Sequence, residues 1–161
     1  MSDRKQKIIS IMRYVTFVLI ILFVVLLLLF TSGSNKPFED IKRSVESVLD
    51  TTNLKKQDSS DLKRKMGLNE ADYAGVMYYS SEFSISAEEV LLVKVKKNAQ
   101  VSEVLDAIEN RIESRKEDFE GYAPEVIQLL DDSKQSVRGK YILYVCAPKA
   151  DEYMAAFNKS L

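Results

Sequence analysis

From Tyr14 to Phe30 the chain carries no charged side chain, and Thr16 and the Tyr14 hydroxyl are its only polar groups. Its centre is the run Val18-Leu19-Ile20-Ile21-Leu22-Phe23-Val24-Val25-Leu26-Leu27-Leu28-Leu29-Phe30. With Thr31 to Ser34 the uncharged stretch reaches about 20 residues, enough at about 1.5 Å per residue to cross a hydrocarbon core of about 30 Å. A buried helix of a soluble domain would carry a polar stripe, and none is visible. The segment 14–34 therefore reads as a transmembrane signal anchor whose partner is the lipid bilayer.

Charge sets the orientation. Arg4, Lys5, Lys7 and Arg13 precede the span against Asp3 alone, so residues 1–13 form a cytoplasmic basic tail by the positive-inside rule. Residues 35–161 are then an extracytoplasmic domain, and the expected location is the cell membrane in a single pass. The apolar run exceeds a signal-peptide core of about 7–15 residues. No cysteine follows it for a lipoprotein anchor. An uncleaved anchor is the favoured reading over a secreted product.

Chemistry is limited by what is missing. The chain has no histidine and one cysteine. These counts exclude an intramolecular disulfide, a His/Cys zinc site, a Ser-His-Asp triad and a Cys-His dyad. A formal net charge of −1 leaves no basic surplus for a phosphate backbone, so no nucleic-acid partner is expected. No cofactor or metal site is expected either.

The outer domain reads as α+β, with a mainly antiparallel sheet of about four strands packed by helices. Phe38, Ile41, Val45, Val48 and Leu49 keep helical spacing and predict a helix over 37–50. A polar stretch, Asn53 to Ser60, interrupts, and a short helix over Asp61 to Met66 stops at Gly67. Within it Lys63-Arg64-Lys65 reads as a solvated helical turn, with a binding patch as the other reading. Strands are predicted at Ala74–Ser80 and Val90–Lys96, the second with Leu91, Val93 and Val95 inward and Lys94 and Lys96 on a partly wet face. The capping-box spacing of Ser86-Ala87-Glu88-Glu89 between them predicts one helical turn at most.

A long helix over 99–118, capped by Asn98, places Val101, Val104, Leu105, Ile108, Ile112 and Phe119 on one stripe. Gly121-Tyr122-Ala123-Pro124 breaks it, and Pro124 opens a shorter helix. Two strands follow, Ser136–Gly139 and Tyr141–Cys146, the second buried on both faces and turning at Gly139. Cys146 reads as a small core residue. Tyr78, Tyr79, Tyr141 and Tyr144 read as packing residues, with an exposed stacking platform as the alternative. Tyr153, Met154 and Phe157 mark a last amphipathic helix.

Arg111 and Arg115 are the most informative polar positions. Both lie beside the apolar stripe of the long helix, and two like charges at i,i+4 oppose each other unless something acidic lies near. One reading is a structural ion pair or carbonyl cap, with Glu125 or Asp118. The other is a paired-guanidinium site for a carboxylate or phosphate group. Glu120, Tyr122 and Glu125 surround the Gly121/Pro124 break. Two carboxylates beside a tyrosine suit acid–base work on a glycan, but such pairs are common in a chain with 24 acidic residues.

Four segments occur in order: Ser86-Ala87-Glu88-Glu89-Val90, Arg111-Ile112-Glu113-Ser114-Arg115, Phe119-Glu120-Gly121-Tyr122-Ala123-Pro124-Glu125, and Val137-Arg138-Gly139-Lys140-Tyr141. Together they resemble the bacterial domain-of-unknown-function family 4358 over roughly residues 38–158. That resemblance implies a small protein of anaerobic Gram-positive bacteria with an N-terminal membrane or lipoprotein anchor. It also implies an accessory role beside membrane-bound O-acyltransferases of envelope polysaccharides, and it brings no catalytic residues.

The functional expectation is a membrane-tethered, non-enzymatic binding or accessory protein of the cell envelope, with a membrane protein or an envelope polysaccharide as partner. Its candidate binding residues are Arg111, Arg115, Tyr122 and Glu125, with no catalytic residue among them. Two alternatives stay open: an envelope glycan- or acyl-modifying enzyme using Glu120 and Glu125, and a small subunit recruiting an integral membrane enzyme through its transmembrane helix.

Overall fold

A computed structural model describes residues 12–25 and 36–161. The chain divides into two units after Ser32. In the first, residues 12–25 form helix α1, every side chain of which is exposed. Thr16 turns its hydroxyl onto the Met12 carbonyl at 2.9 Å. Among the described residues no helix is long and apolar enough to cross a membrane. Residues 26–34 of the expected span, and residues 1–11 of the basic tail, lie outside the described residues.

The second unit is α+β. Its order is α2 (Phe38–Glu46), β1 (Leu54–Lys56), α3 (Ser59–Met66), a 3-10 turn, β2 (Gly75–Ser81), β3 (Glu89–Lys94), α4 (Gln100–Phe119), α5 (Pro124–Asp131), β4 (Lys134–Arg138), β5 (Tyr141–Cys146) and α6 (Ala150–Ser160). One five-stranded sheet runs β1-β2-β3-β5-β4, and every pair is antiparallel. From β3 the chain crosses through α4 and α5 to the far edge. It forms β4 there and returns through Gly139-Lys140 to fill the gap as β5.

Both faces of the sheet are covered, because side chains alternate along β3 and β5. Leu91, Val93, Ile142, Tyr144 and Cys146 pack beneath α3, α4 and α5, against Leu62, Met66, Val104, Ile108, Phe119 and Leu130. Val90, Leu92, Tyr141, Leu143 and Val145 pack on the other face against Ile41 and Val45 of α2 and Tyr153, Met154 and Phe157 of α6. All six residues of β5 are buried, as expected of its uninterrupted apolar run.

Several expectations need correction. The sheet has five strands rather than about four. The missed β1 lies inside the polar stretch, where Leu54 is buried and Lys55 and Lys56 face out at the edge. The partly wet face is wet only at its end, where Lys94 is half-buried and Lys96 exposed, while α2 and α6 seal Val90 and Leu92. Helix α2 ends at Glu46 instead of 50; beyond it Asp50 N–H donates to the Tyr153 hydroxyl at 3.0 Å, so the chain leaves the helix to meet α6.

Asn98 does not cap α4. Gln100 Oε1 accepts from the Lys96 and Lys97 N–H groups, both at 3.0 Å, which folds the start of the helix back on itself. Ser86 to Glu88 form no helical turn, and strand β3 starts at Glu89. Strand β4 starts at Lys134, two residues ahead of the expected Ser136.

Other local expectations hold. Gly67, with φ of 71°, closes α3, and Asp58 accepts from the Asp61 N–H to open it. Pro124 starts α5. Tyr78, Tyr141 and Tyr144 are core residues, and the half-buried Tyr79 donates its hydroxyl to Glu46 at 3.0 Å.

The start of the unit is tied inward. The Lys36 carbonyl accepts from the Tyr141 hydroxyl at 2.7 Å and from Lys94 Nζ at 3.2 Å, and Lys36 Nζ donates to the Ser160 carbonyl at 2.9 Å.

Candidate functional site

Strand register builds the floor of the site. Glu89 sits opposite Ser80 on β2 and Cys146 on β5, while Tyr78, Leu91 and Tyr144 form the next row on the same face. Glu89 opens its strand and is 4% exposed, although it is a carboxylate. Burying it requires a counter-ion with matching geometry. Helix α4 supplies one, because Arg111 lies one turn past Ile108 on the helix face that meets the sheet.

Arg111 Nε donates to both Glu89 oxygens, at 3.1 and 3.2 Å, and its Nη2 also bonds Oε1. Burial opposes the charge on Arg111, but the hydrogen-bonded carboxylate outweighs it and holds the guanidinium pKa above its ordinary value. This pair answers the sequence argument that something acidic must lie near the two arginines. The partner is a residue that argument did not name.

Other polar groups surround the pair. The Tyr78 and Tyr144 hydroxyls are buried without a hydrogen-bond partner among the described residues, and burial pushes both phenols up. Burial, then the charge of Glu89, pushes the Cys146 thiol up to about 12. It is a protonated core group at neutral pH rather than a nucleophile. Lys65, which the charge-run reading left in solvent, is part-buried instead. Its ammonium donates to Ser80 Oγ at 2.8 Å and Gln57 Oε1 at 3.3 Å. Burial lowers its pKa.

Arg115 lies one turn beyond Arg111. Its Nη1 bonds Asp118 Oδ2 at 2.8 Å and its Nη2 donates to the Ser86 carbonyl at 3.0 Å. The guanidinium sits 4.5 Å above the Phe119 ring centroid, and its Nε is buried and unbonded among the described residues. Of the two acidic partners expected for it, Asp118 is used and Glu125 is not.

Arg64, Lys65, Phe83, Glu89, Arg111 and Arg115 line one groove of about 510 Å³ between α3, α4 and the β2–β3 loop. On that loop Phe83 and Ile85 are 61% and 73% exposed. Tyr122 is also exposed, with its ring 5.8 Å from that of Phe119 and so next to the base of Arg115.

The structure thus brings Arg111 and Arg115 into one groove, and Tyr122 does not line it. Glu120 and Glu125 stand apart, exposed and without side-chain hydrogen bonds among the described residues. Sequence reasoning missed Glu89, Lys65 and Ser80. A glutamate ahead of an apolar strand was the one visible signal for Glu89, and it was absorbed by the capping-box reading. A larger groove of about 690 Å³ lies between α2 and α6, lined by residues such as Ser44, Ala155 and Ala156. Among the described residues no acidic or cysteine cluster could hold a metal.

Fold and groove together define the class: a small α+β domain, its antiparallel sheet sandwiched by helices, with a charged groove floored by a buried Glu–Arg pair. The family model described as Domain of unknown function (DUF4358) matches residues 47–147. The chain belongs to this family. Two of the four segments that carry the sequence resemblance meet in the groove: Ser86 and Glu89 from the first, and Arg111 and Arg115 from the second. No curated protein and no solved structure matches the chain.

Proposed function

We propose that the chain is a membrane-tethered, non-enzymatic binding domain of the cell envelope. In this reading residues 14–34 anchor it, the N-terminus is cytoplasmic, and the outer domain captures a partner protein or an envelope polymer in the groove. The supporting observation is Arg115, whose buried Nε has no partner among the described residues and whose Nη1 and Nη2 each make one bond, to Asp118 and to the Ser86 carbonyl. A buried donor left unbonded costs stability. A groove that keeps such an arginine beside the exposed Phe83 is suited to recognition.

The enzyme alternative gains no such support. Glu120 and Glu125 are exposed and unbonded, so nothing fixes them at the separation across a scissile bond that glycoside hydrolysis demands.

In-cell crosslinking of the tagged full-length protein, followed by purification and mass spectrometry, tests the reading. Arg115→Ala should abolish capture of the partner. It also removes the Asp118 pair, the Ser86 carbonyl bond and the contact with Phe119, together about 2–3 kcal/mol, so capture is measured well below the variant's melting temperature. Capture that survives the substitution removes the groove from the reading. Replacing residues 14–30 by an unrelated apolar span should leave capture intact; loss would favour a subunit that recruits an integral membrane enzyme through its transmembrane helix.

A further inference from the structure

We propose that this groove binds one carboxylate of an extended peptide segment of a partner protein, an acidic side chain set between apolar neighbours, with Lys65 and Arg115 as its donors. The inference rests on the binding reading above and names its ligand.

The cations around the groove are almost all paired. Arg64 pairs with Asp61, Arg111 with Glu89 and Arg115 Nη1 with Asp118. Lys65 differs. Its ammonium meets only the neutral oxygens of Ser80 and Gln57 and forms no ion pair with any described residue. An ammonium has three donors, and two are used here. Asp61 and Glu89 act on Lys65 through space without contact; a cation part-withdrawn from water with no carboxylate in contact is costly, and an incoming one would relieve that cost. Arg115 adds further donors, because Nη1 and Nη2 give only one hydrogen each to Asp118 and the Ser86 carbonyl. Both residues line the same groove.

The rim selects the class of ligand. Glu82 and Glu88 also line the groove. Together with Asp61 they would repel a polyanionic wall polymer, whereas a single carboxylate passing between them meets Lys65 as the one cation with no acidic partner. Phe83, largely exposed on its lining, offers apolar contact of the kind that anchors a peptide side chain. A volume of about 510 Å³ takes a few side chains of an extended segment.

The test uses the full chain in detergent micelles, panned against a displayed library of random dodecapeptides. Peptides enriched on it should share an Asp or Glu flanked by apolar residues. Measured by fluorescence polarisation, their affinity should fall about tenfold or more, the loss of one charged hydrogen bond, for Lys65→Met and for Arg115→Gln. The peptide with its acid changed to the amide should lose a similar factor and become insensitive to Lys65→Met. Phe83→Ser alters an exposed side chain and leaves the fold intact, so it decides the matter even if Lys65→Met misfolds; it should also weaken binding.

No enrichment, enriched peptides without a shared acid, or affinities unchanged in these variants would overturn the proposal. Binding of purified anionic wall polymer in place of peptides would do the same while leaving the wider binding reading standing. That wider reading falls separately, if crosslinking captures neither protein nor polymer.

Discussion

Removing Arg111 while keeping Glu89 should be among the most damaging single changes in this domain. The Glu89 carboxylate is 4% exposed, and among the described residues its side-chain hydrogen bonds come from Arg111 alone. Arg111→Gln leaves that charge buried and unmatched, a loss of about 3–5 kcal/mol. At about 3–6 °C per kcal/mol for a folded unit of this size, the melting temperature should drop by about 10–30 °C. Replacing both partners, Glu89→Leu with Arg111→Leu, removes the charge together with its counter-ion and should return stability to within about 2 kcal/mol of the parent. Far-UV circular dichroism melts of the full chain in detergent, on both single variants and the double, close the cycle. A cost below about 1 kcal/mol for Arg111→Gln, the value of an exposed pair, would refute the burial argument. So would a double variant no more stable than the worse single one.

Cys146 should resist alkylation at pH 8 in the folded chain and react fully on unfolding, checked by mass spectrometry after a timed iodoacetamide pulse. Its folded pKa is raised to about 12 from 9.0, so stability is complete below pH 9 and declines as the pH climbs towards 12, because the unfolded thiol ionises first; denaturant melts from pH 8 to 11 should show that slope. Gly75→Ala should cost about 1–3 kcal/mol, because a Cβ there would lie 2.5–2.8 Å from the Phe38 ring; combining it with Phe38→Ala should make the Ala at 75 nearly neutral in a urea titration. Tyr153→Phe removes the acceptor of the Asp50 N–H and should lower stability by about 1 kcal/mol, measured the same way.

Where one residue type forces one structure, the sequence was readable. Pro124 opens a helix, Gly67 closes one, and the unbroken apolar run of β5 demands cover on both faces. Edges and long-range pairs were harder. Strand β1 has a single apolar residue in three, too little for any periodic signal, and its pairing with β2 is set by tertiary contact. Lys94 and Lys96 suggested a wet face, yet Val90 and Leu92 share that face and are sealed by helices from opposite ends of the domain.

The site was half visible. Two arginines on one helix face implied an acid, but the pair spans 22 residues and no local pattern links a strand's first residue to a helix's fourth turn. Lys65 looked like one member of a solvated charge run. Only the folded chain turns it inward to Ser80 while Arg64 remains in water beside Asp61.

The ties at Lys36 give the domain a mechanical character. Its carbonyl is held by Tyr141 and Lys94, at the ends of the two central strands, and its ammonium by the last turn of α6. Tension arriving through the chain ahead of Lys36 therefore loads the middle of the sheet and the C-terminal helix together, before it can unwind α2. An edge strand would peel one bond at a time under such a pull. A clamped entry spreads such a load over several bonds at once.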